Sequence, residues 1–506
     1  MSDFKFTENG NAGPHPYEAP YENAPLTAEG LKNIFAECGD LQTRRVKIGL
    51  SGAVAAEALW LDGVVDGGGV AEEILRPLTE NARFARVRTA EEAAELMLCG
   101  GVYSCSVKKS GEARDTADDV AHGYCAVIFG ELGVSVDFEV RTTNVRGISE
   151  PTLEKSVKGA KDSFVETLRI NTSLVRRRVA SPKLKLINVL IGRKTLTRCA
   201  VMYVDGVADP AIVEELLRRL DALDIDGPEE SGYIESGVSD RPRSPLPQVL
   251  HTERPDRFAS QLLGGRVGLL VDGMSFGFLV PATLPELMRV TQDRTNNFIV
   301  AGALSLLRWL ALFLALTLPA LFTAIAMYHQ EMIPTKLLLS VVQAKQDVPF
   351  SIGVEVFSML IAFGLLQEAD LRLPDPVGDT VSIIGALIVG QSAVSAKVVS
   401  PIAVIIVALA GICNYAMPSQ DIAAAVRLSR LALVVCAILA GLFGVSLGMC
   451  LMAWYLCGIE SYGVNYLSPL TAGRPGGLFT TLLRMPVLSD KYRDPDLHTP
   501  DRRRQK

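Results

Sequence analysis

The chain has 506 residues, 21% of them charged, with a formal net charge of −6 and a mean hydropathy of +0.26. That length asks for at least two domains, and mildly positive hydropathy beside so many charges is what a soluble half joined to a membrane half produces. A net negative charge gives no reason to expect a nucleic-acid partner, and nine cysteines with no CxxC pair and no nearby histidine set argue against a zinc site.

Residues 1–25 form a Pro-, Asn-, Gly- and Glu-rich leader that lacks the basic and apolar regions of a signal peptide. It reads as disordered, and the region behind it is expected to stay in the cytoplasm. From 26 to 145 the pattern alternates strand-like and helix-like pieces: the apolar run 58–61 (ALWL), an Asp62-Gly63 turn, and helical spacing over 70–78 (VAEEILRPL). The arrangement returns 143 residues later, with 200–204 (AVMYV), Asp205-Gly206 and the helical run 210–220. Glu72-Glu73 and Glu214-Glu215 match as well. The expectation is two related α/β lobes, 26–145 and 181–290, each with a strand, a DG turn and an amphipathic helix.

Gly67-Gly68-Gly69 ahead of a helix has the look of a phosphate cradle. In the second copy Asp209 and Pro210 take that place, and they suit an N-cap and a first helical position. Capping therefore explains both copies. Residues 146–180 form a helical connector ending in Arg176-Arg177-Arg178, a run that is either part of a solvated packing helix or a contact for anionic lipid or a partner's carboxylates. Residues 233–257 are proline-rich and polar and read as a loop with defined turns. Val267–Val271 and the run 276–280 around Asp272-Gly273 read as a β-hairpin.

The last third, 291–470, is a membrane domain. A crossing helix takes roughly 20 residues, and 309–327, 398–420 and 431–459 carry no charge over comparable lengths. Two weaker segments lie between: 348–367, which holds Glu355, and the short 380–396, rich in Gly and Ser. The tail from 471 is basic, which places it in the cytoplasm by the positive-inside rule. With the front of the chain there too, the crossings are even in number: four spans, so that one of 348–367 and 380–396 does not cross. Arg427 and Arg430 then fall in an outer loop, against the rule.

Five strings in order carry a family resemblance: SEPTLEKSVKGAKDSFVETLRINTSLVRRR, SPLPQVLHTERPDRFASQLLGGRVGLLVDGMSFGFLVPAT, YHQEMIPTKLL, RLPDPVGDTVSIIGALIVGQSAVSAKVVSP and GVNYLSPL. Together they cover about 26–472 and resemble the A subunit of spore germinant receptors, the GerA family. The resemblance implies a multi-pass subunit of the spore inner membrane that works with a transporter-like B subunit and a lipoprotein C subunit, forms homo-oligomers and takes part in nutrient-triggered ion release. The connector departs from the family pattern at 158–163, and 285–297 does not clearly match.

Charges inside the apolar third are costly and mark a polar path or a partner. Glu355 is the foremost candidate, followed by Lys397 and Arg308, for each of which snorkelling to the interface is the weightier explanation. Gln391 offers a polar face in an apolar element, and Val389 and Val394 flank it. Small residues such as Gly385, Gly390 and Ser392 suit tight helix packing first and a pore second. The candidate ion path is therefore Glu355, Val389, Gln391, Val394 and Lys397. The five histidines are scattered outside any triad or metal motif, so no enzyme, metal or cofactor is expected. The alternatives are a membrane-anchored α/β regulatory or nucleotide-binding protein without a pore, and an accessory family member that modulates receptors.

Overall fold

The strand, turn and helix pieces occur twice, in the same spatial order. The computed structural model describes residues 24–49, 54–104, 106–142, 158–370, 390–470 and 491–505, with single positions at 52, 151, 154, 482, 483 and 486. The leader, most of 146–157, and 371–389 lie outside the described residues. Contacts divide the chain into two units, the first made of Met1–Lys155, Ala160–Ser231 and His251–Leu279, the second of Ser156–Gly159, Gly232–Leu250 and Val280–Lys506.

In the first unit, helix α1 (Ala28–Ile34) leads into β1 (Leu41–Ile48) and β2 (Val54–Leu61), followed by β3 (Val107–Ser110), helix α2 (Ala113–Ala121), β4 (Tyr124–Phe129) and β5 (Val134–Glu139). Their sheet order is β1-β2-β4-β5-β3. Helix α3 (Leu168–Arg178) follows, then β6 (Leu184–Ile191), β7 (Thr197–Val204), α4 (Pro210–Asp221), α5 (Ser231–Val238), which from Gly232 belongs to the second unit, β8 (Leu250–Thr252), α6 (Pro255–Leu263), β9 (Val267–Val271) and β10 (Gly277–Val280). The second sheet has the order β6-β7-β9-β10-β8, the same permutation. β2, β4 and β5 start at 54, 124 and 134, and their counterparts at 197, 267 and 277, each 143 residues on. The hairpin expected near 267–280 is β9 and β10. The stretch 233–257, expected as a loop, holds most of α5 and all of β8. Ile234 and Val238, one turn apart, are buried there among polar neighbours that hide the helical period.

Local chemistry repeats with the topology. Gly63 and Gly206 turn the chain at φ +84 and +75, a region that costs an L-residue with a Cβ. The Asp66 carboxylate accepts the Gly68 N–H at 3.1 Å, and the Asp209 carboxylate accepts the Ala211 N–H at 3.0 Å. A carboxylate thus occupies the helix N-terminus at Gly67–Gly69, where a phosphate would meet like charge. The lobes are tied by main-chain bonds from Gly39 N–H to Leu186 O at 2.7 Å and from Leu186 N–H to Glu37 O at 3.0 Å. Helix α3 belongs to both: Leu168 N–H donates to Asp272 Oδ1 at 2.9 Å, and Arg169 donates to Asp62 Oδ1 at 2.6 Å.

The arginine run at the end of α3 is not a single charged patch. Arg176 is 1% exposed, donates through Nε and Nη2 to both oxygens of Asp40 at 2.8 Å each, and spends Nη1 on Leu184 O at 2.7 Å. It ties lobe 1 to lobe 2 and is unavailable to lipid, which corrects the lipid-contact expectation for this residue. Arg178 pairs with Asp162 at 2.6 Å, whereas Arg177 is exposed and, among the described residues, donates to Thr142 O at 3.0 Å.

The lobes differ where α2 and α6 meet their sheets. In lobe 2 the Phe258 ring lies so close to Gly268 and Gly277 that a Cβ at either would come within 2.2 and 2.6 Å of it. In lobe 1 the corresponding helix position holds Thr116, whose hydroxyl is 2.7 Å from Ser135 Oγ, and Ser135 donates to Asp137 Oδ2 at 3.3 Å. Asp137 is fully buried and its Oδ1 has no partner. Burial pushes its carboxyl up to about 7, against the pull of the Ser135 hydrogen bond.

Two outcomes follow for the purified full-length protein. Arg176→Ala leaves Asp40 as an unpaired buried carboxylate, so the soluble unit loses about 3–5 kcal/mol, read as a lower urea midpoint, while vesicle binding is unchanged; an unmoved midpoint would remove the tie. Asp137 binds a proton in the folded lobe that the unfolded chain, with a pKa of about 3.9, gives up. Stability is then greatest at low pH and falls as pH rises through about 7, by about 2–3 kcal/mol between about pH 5 and pH 8. Asp137→Asn flattens that slope, and a wild-type midpoint constant over this range would show the carboxyl already charged.

Candidate functional site

The second unit is built from apolar helices: α7 (Phe298–Tyr328), α8 (Thr335–Lys345), α9 (Ile352–Asp370), α10 (Pro401–Tyr415) and α11 (Gln420–Cys457). Three of them, in α7, α9 and α11, are long and apolar enough to cross a membrane. The buried face of α7 is largely small, with Ala301, Gly302, Ala311, Ala315, Ala320 and Ala324, which lets neighbouring helices approach closely.

The run 431–459, expected as one span, reverses direction. Helical geometry fails at Ala440 and at Gly441, whose φ is +58 and ψ −139. A Cβ on Gly448 would lie 2.7 Å from Leu433 Cδ2, two positions that a continuous helix rising 1.5 Å per residue would hold about 22 Å apart. Helix α11 is therefore two antiparallel segments, 420–439 and 442–457. The tip rests on the end of α7: the Tyr328 hydroxyl donates to Ile438 O at 2.6 Å, and the Tyr328 ring lies 3.1 Å from where a Gly441 Cβ would be. Gly353 of α9 meets Ile438 and Met327 at this same far end. The expected run 398–420 contains only the shorter helix α10, which is parallel to α9: Ser400 meets Glu355 at their starts, and the Phe363 ring crowds Gly411 further along.

This packing brings Glu355 to a helix start. Glu355 is 1% exposed, and its Oε1 accepts the backbone N–H of Ser400, the N-cap of α10. A carboxylate there meets both the unpaired donors and the positive end of the helix dipole. The other oxygen, Oε2, is buried without a partner. Just before the break, Lys397 takes a left-handed conformation at φ +57, is exposed, and pairs with Asp347 at 2.5 Å. Gln391 is exposed and Val394 half-buried. Val389 lies outside the described residues. Glu355 and the 397–400 break are thus brought together, and no hydrogen bond joins Glu355 to Gln391 among the described residues. Arg308 is held by Asp293, just ahead of α7.

A second buried charge was missed. Arg430 is 2% exposed, its Nε and Nη1 lack partners, and it stands ten residues along the 20-residue segment 420–439. The charge-free run begins only at Leu431, so the sequence placed Arg430 in a loop. The signal that would have found it is the helical spacing of Ile422, Val426, Leu433 and Val434, all buried, which continues through it. Arg427, one turn earlier, reaches Gln367 Oε1 at 3.5 Å. Among the described residues no group of three His, Cys, Asp or Glu is arranged to hold a metal.

A duplicated α/β unit joined to interrupted apolar helices defines a membrane protein with a soluble half. Residues 29–495 match the family model described as Bacillus/Clostridium GerA spore germination protein, and the chain belongs to this GerA family. It is 34% identical to Spore germination protein KA of Bacillus subtilis (strain 168), over 96% of this chain and 90% of that one. It is likewise 34% identical to the Uncharacterized membrane protein YfkQ of the same strain, over 89% and 85%. The crystal structure of the N-terminal domain of the A subunit of the Bacillus megaterium spore germinant receptor GerK3 is similar at 28% identity and a TM-score of 0.40, covering 50% of this chain and 92% of that one.

An unpaired arginine at mid-helix costs about 2.5–3.5 kcal/mol. Arg430→Leu is therefore expected to raise the thermal midpoint of the detergent-purified protein. A lower midpoint would show that the guanidinium has a partner in the assembled protein.

Proposed function

We propose that this protein is an A-type subunit of a spore germinant receptor that oligomerises in the spore inner membrane and takes part in nutrient-triggered ion release. Its partners on this reading are a transporter-like B subunit, a lipoprotein C subunit and further copies of itself. Family membership supports the receptor role, and the observation that carries the ion-path reading is Glu355. A carboxylate buried in an apolar unit with one oxygen unmatched attracts a cation or a proton, and interrupted helices are where membrane proteins place such sites.

The path runs from Glu355 past the 397–400 break, with Val389, Gln391 and Val394 lining it from the preceding segment and Lys397 at its mouth, released from Asp347 when the path opens. The near end of the helices, where α9, α10 and both arms of α11 finish or start, faces the cytoplasm. That orientation puts Arg427 on the inner half and agrees with the basic tail under the positive-inside rule.

The test is ion flux from germinating spores or from liposomes carrying the assembled receptor. Glu355→Gln and Gln391→Leu variants that assemble normally are expected to slow release at least severalfold and to alter ion selectivity. Unchanged flux and selectivity in both would remove these residues from the path.

A further inference from the structure

A cavity of about 270 Å³ opens at the far end of the membrane unit, between the end of α7, helix α8 and the start of α9. Met327, Ile333, Leu338, Val342 and Ile352 give it an apolar wall, and Lys345 is the one formally charged residue that lines it. The other polar members are already engaged: Gln330 donates to Ala326 O at 3.1 Å, and Ser351 Oγ accepts the Val354 N–H at 3.5 Å. Lys345 is half-buried, and its ammonium has no salt bridge or hydrogen bond among the described residues. The neighbouring acid, Asp347, is committed to Lys397.

Helix α8, which supplies Leu338, Val341, Val342 and Lys345 to this wall, has no buried residue. Leu337, Leu339 and Val342 are 54, 63 and 55% exposed, which suits a helix lying against hydrocarbon and not one facing water. A pocket that opens beside such a helix, apolar within and bearing one uncommitted cation, is complementary to an amphiphile with an apolar tail and a single negative head. In a membrane that description fits an anionic phospholipid, and basic pockets between membrane helices recognise such headgroups. The volume accommodates part of one acyl chain and is below that of ordinary drug-sized sites.

We propose that this pocket binds an anionic phospholipid, one acyl chain lying against Met327, Leu338, Val342 and Ile352 and the headgroup phosphate on the Lys345 ammonium. The site belongs to the state in which Lys397 holds Asp347, and it stands or falls on lipid binding in that state, whatever path ions take.

The test uses delipidated full-length protein in detergent, titrated with phosphatidylglycerol, with phosphatidylcholine of the same chains, or with inorganic phosphate alone. Readouts are the thermal midpoint and the lipids retained in native mass spectrometry. Phosphatidylglycerol is expected to raise the midpoint and to be retained at least threefold more than phosphatidylcholine, with inorganic phosphate inert. Lys345→Glu abolishes that preference, and Val342→Trp, at an exposed position that tolerates the larger ring, fills the pocket and lowers retention of both lipids. A preference that survives Lys345→Glu overturns the proposal, as does equal retention of the two lipids by the wild type. So does a midpoint shift with inorganic phosphate as large as that with phosphatidylglycerol, which would mark a small-anion site.

Discussion

Within an apolar unit every interrupted helix exposes backbone groups that water cannot reach, and each must find a partner inside the protein. Both interruptions here are met by a side chain from another helix. At the start of α10 the Glu355 carboxylate takes the Ser400 N–H, and at the turn in α11 the Tyr328 hydroxyl serves the Ile438 carbonyl. One break frees donors and is met by an acceptor, the other frees an acceptor and is met by a donor. The consequence for function differs. Tyr328 satisfies its carbonyl with a single hydroxyl, while Glu355 satisfies one N–H and leaves its second oxygen buried without a match.

The soluble half shows how far a duplicated chain drifts while its fold is retained. The strand order, the DG turns and the aspartate caps are common to both lobes, because each is set by backbone geometry that a substitution would break. Side chains beneath the helices are free to change in concert. Phe258 with Gly268 and Gly277 fills with a ring the kind of space that Thr116, Ser135 and Asp137 fill with hydroxyls and a carboxyl. The apolar solution is the more stable one, since a buried carboxyl with an unmatched oxygen costs desolvation. Lobe 1 carries that cost and with it a group that titrates near neutrality.

Much of this was legible in the sequence where the signal was local. The repeat at 143 residues, the two turns, the hairpin and the caps all follow from short motifs whose chemistry acts within a few residues. Glu355 was legible because a lone acid in an apolar run is conspicuous. Arg176 was not, since a run of three arginines looks uniform until the fold buries one on Asp40 and leaves its neighbour exposed. The reversal at Ala440–Gly441 was hidden for a different reason. Hydropathy is blind to direction, and a hairpin whose two arms and tip are all apolar reads as one long helix. The single clue is Gly441, whose positive φ admits the turn and whose missing Cβ leaves room for Tyr328.

That reversal also changes where Arg427 and Arg430 lie along the helices. With 431–459 as a single span, Arg427 and Arg430 fall outside. With two arms meeting at Gly441, the tip lies at the far end beside Tyr328, and the beginning of α11 lies at the opposite end with Gln367 of α9. The end of α11 returns there too, where Ser461 receives the Ala282 N–H and the Leu284 N–H donates to Tyr466 O at 2.8 Å, both in the segment that leads into α7. The first helix therefore begins, and the last one ends, on one face. Arg427 sits about two turns in from that same end, so a positive charge, the entry to the bundle and its exit gather at one end of the helices.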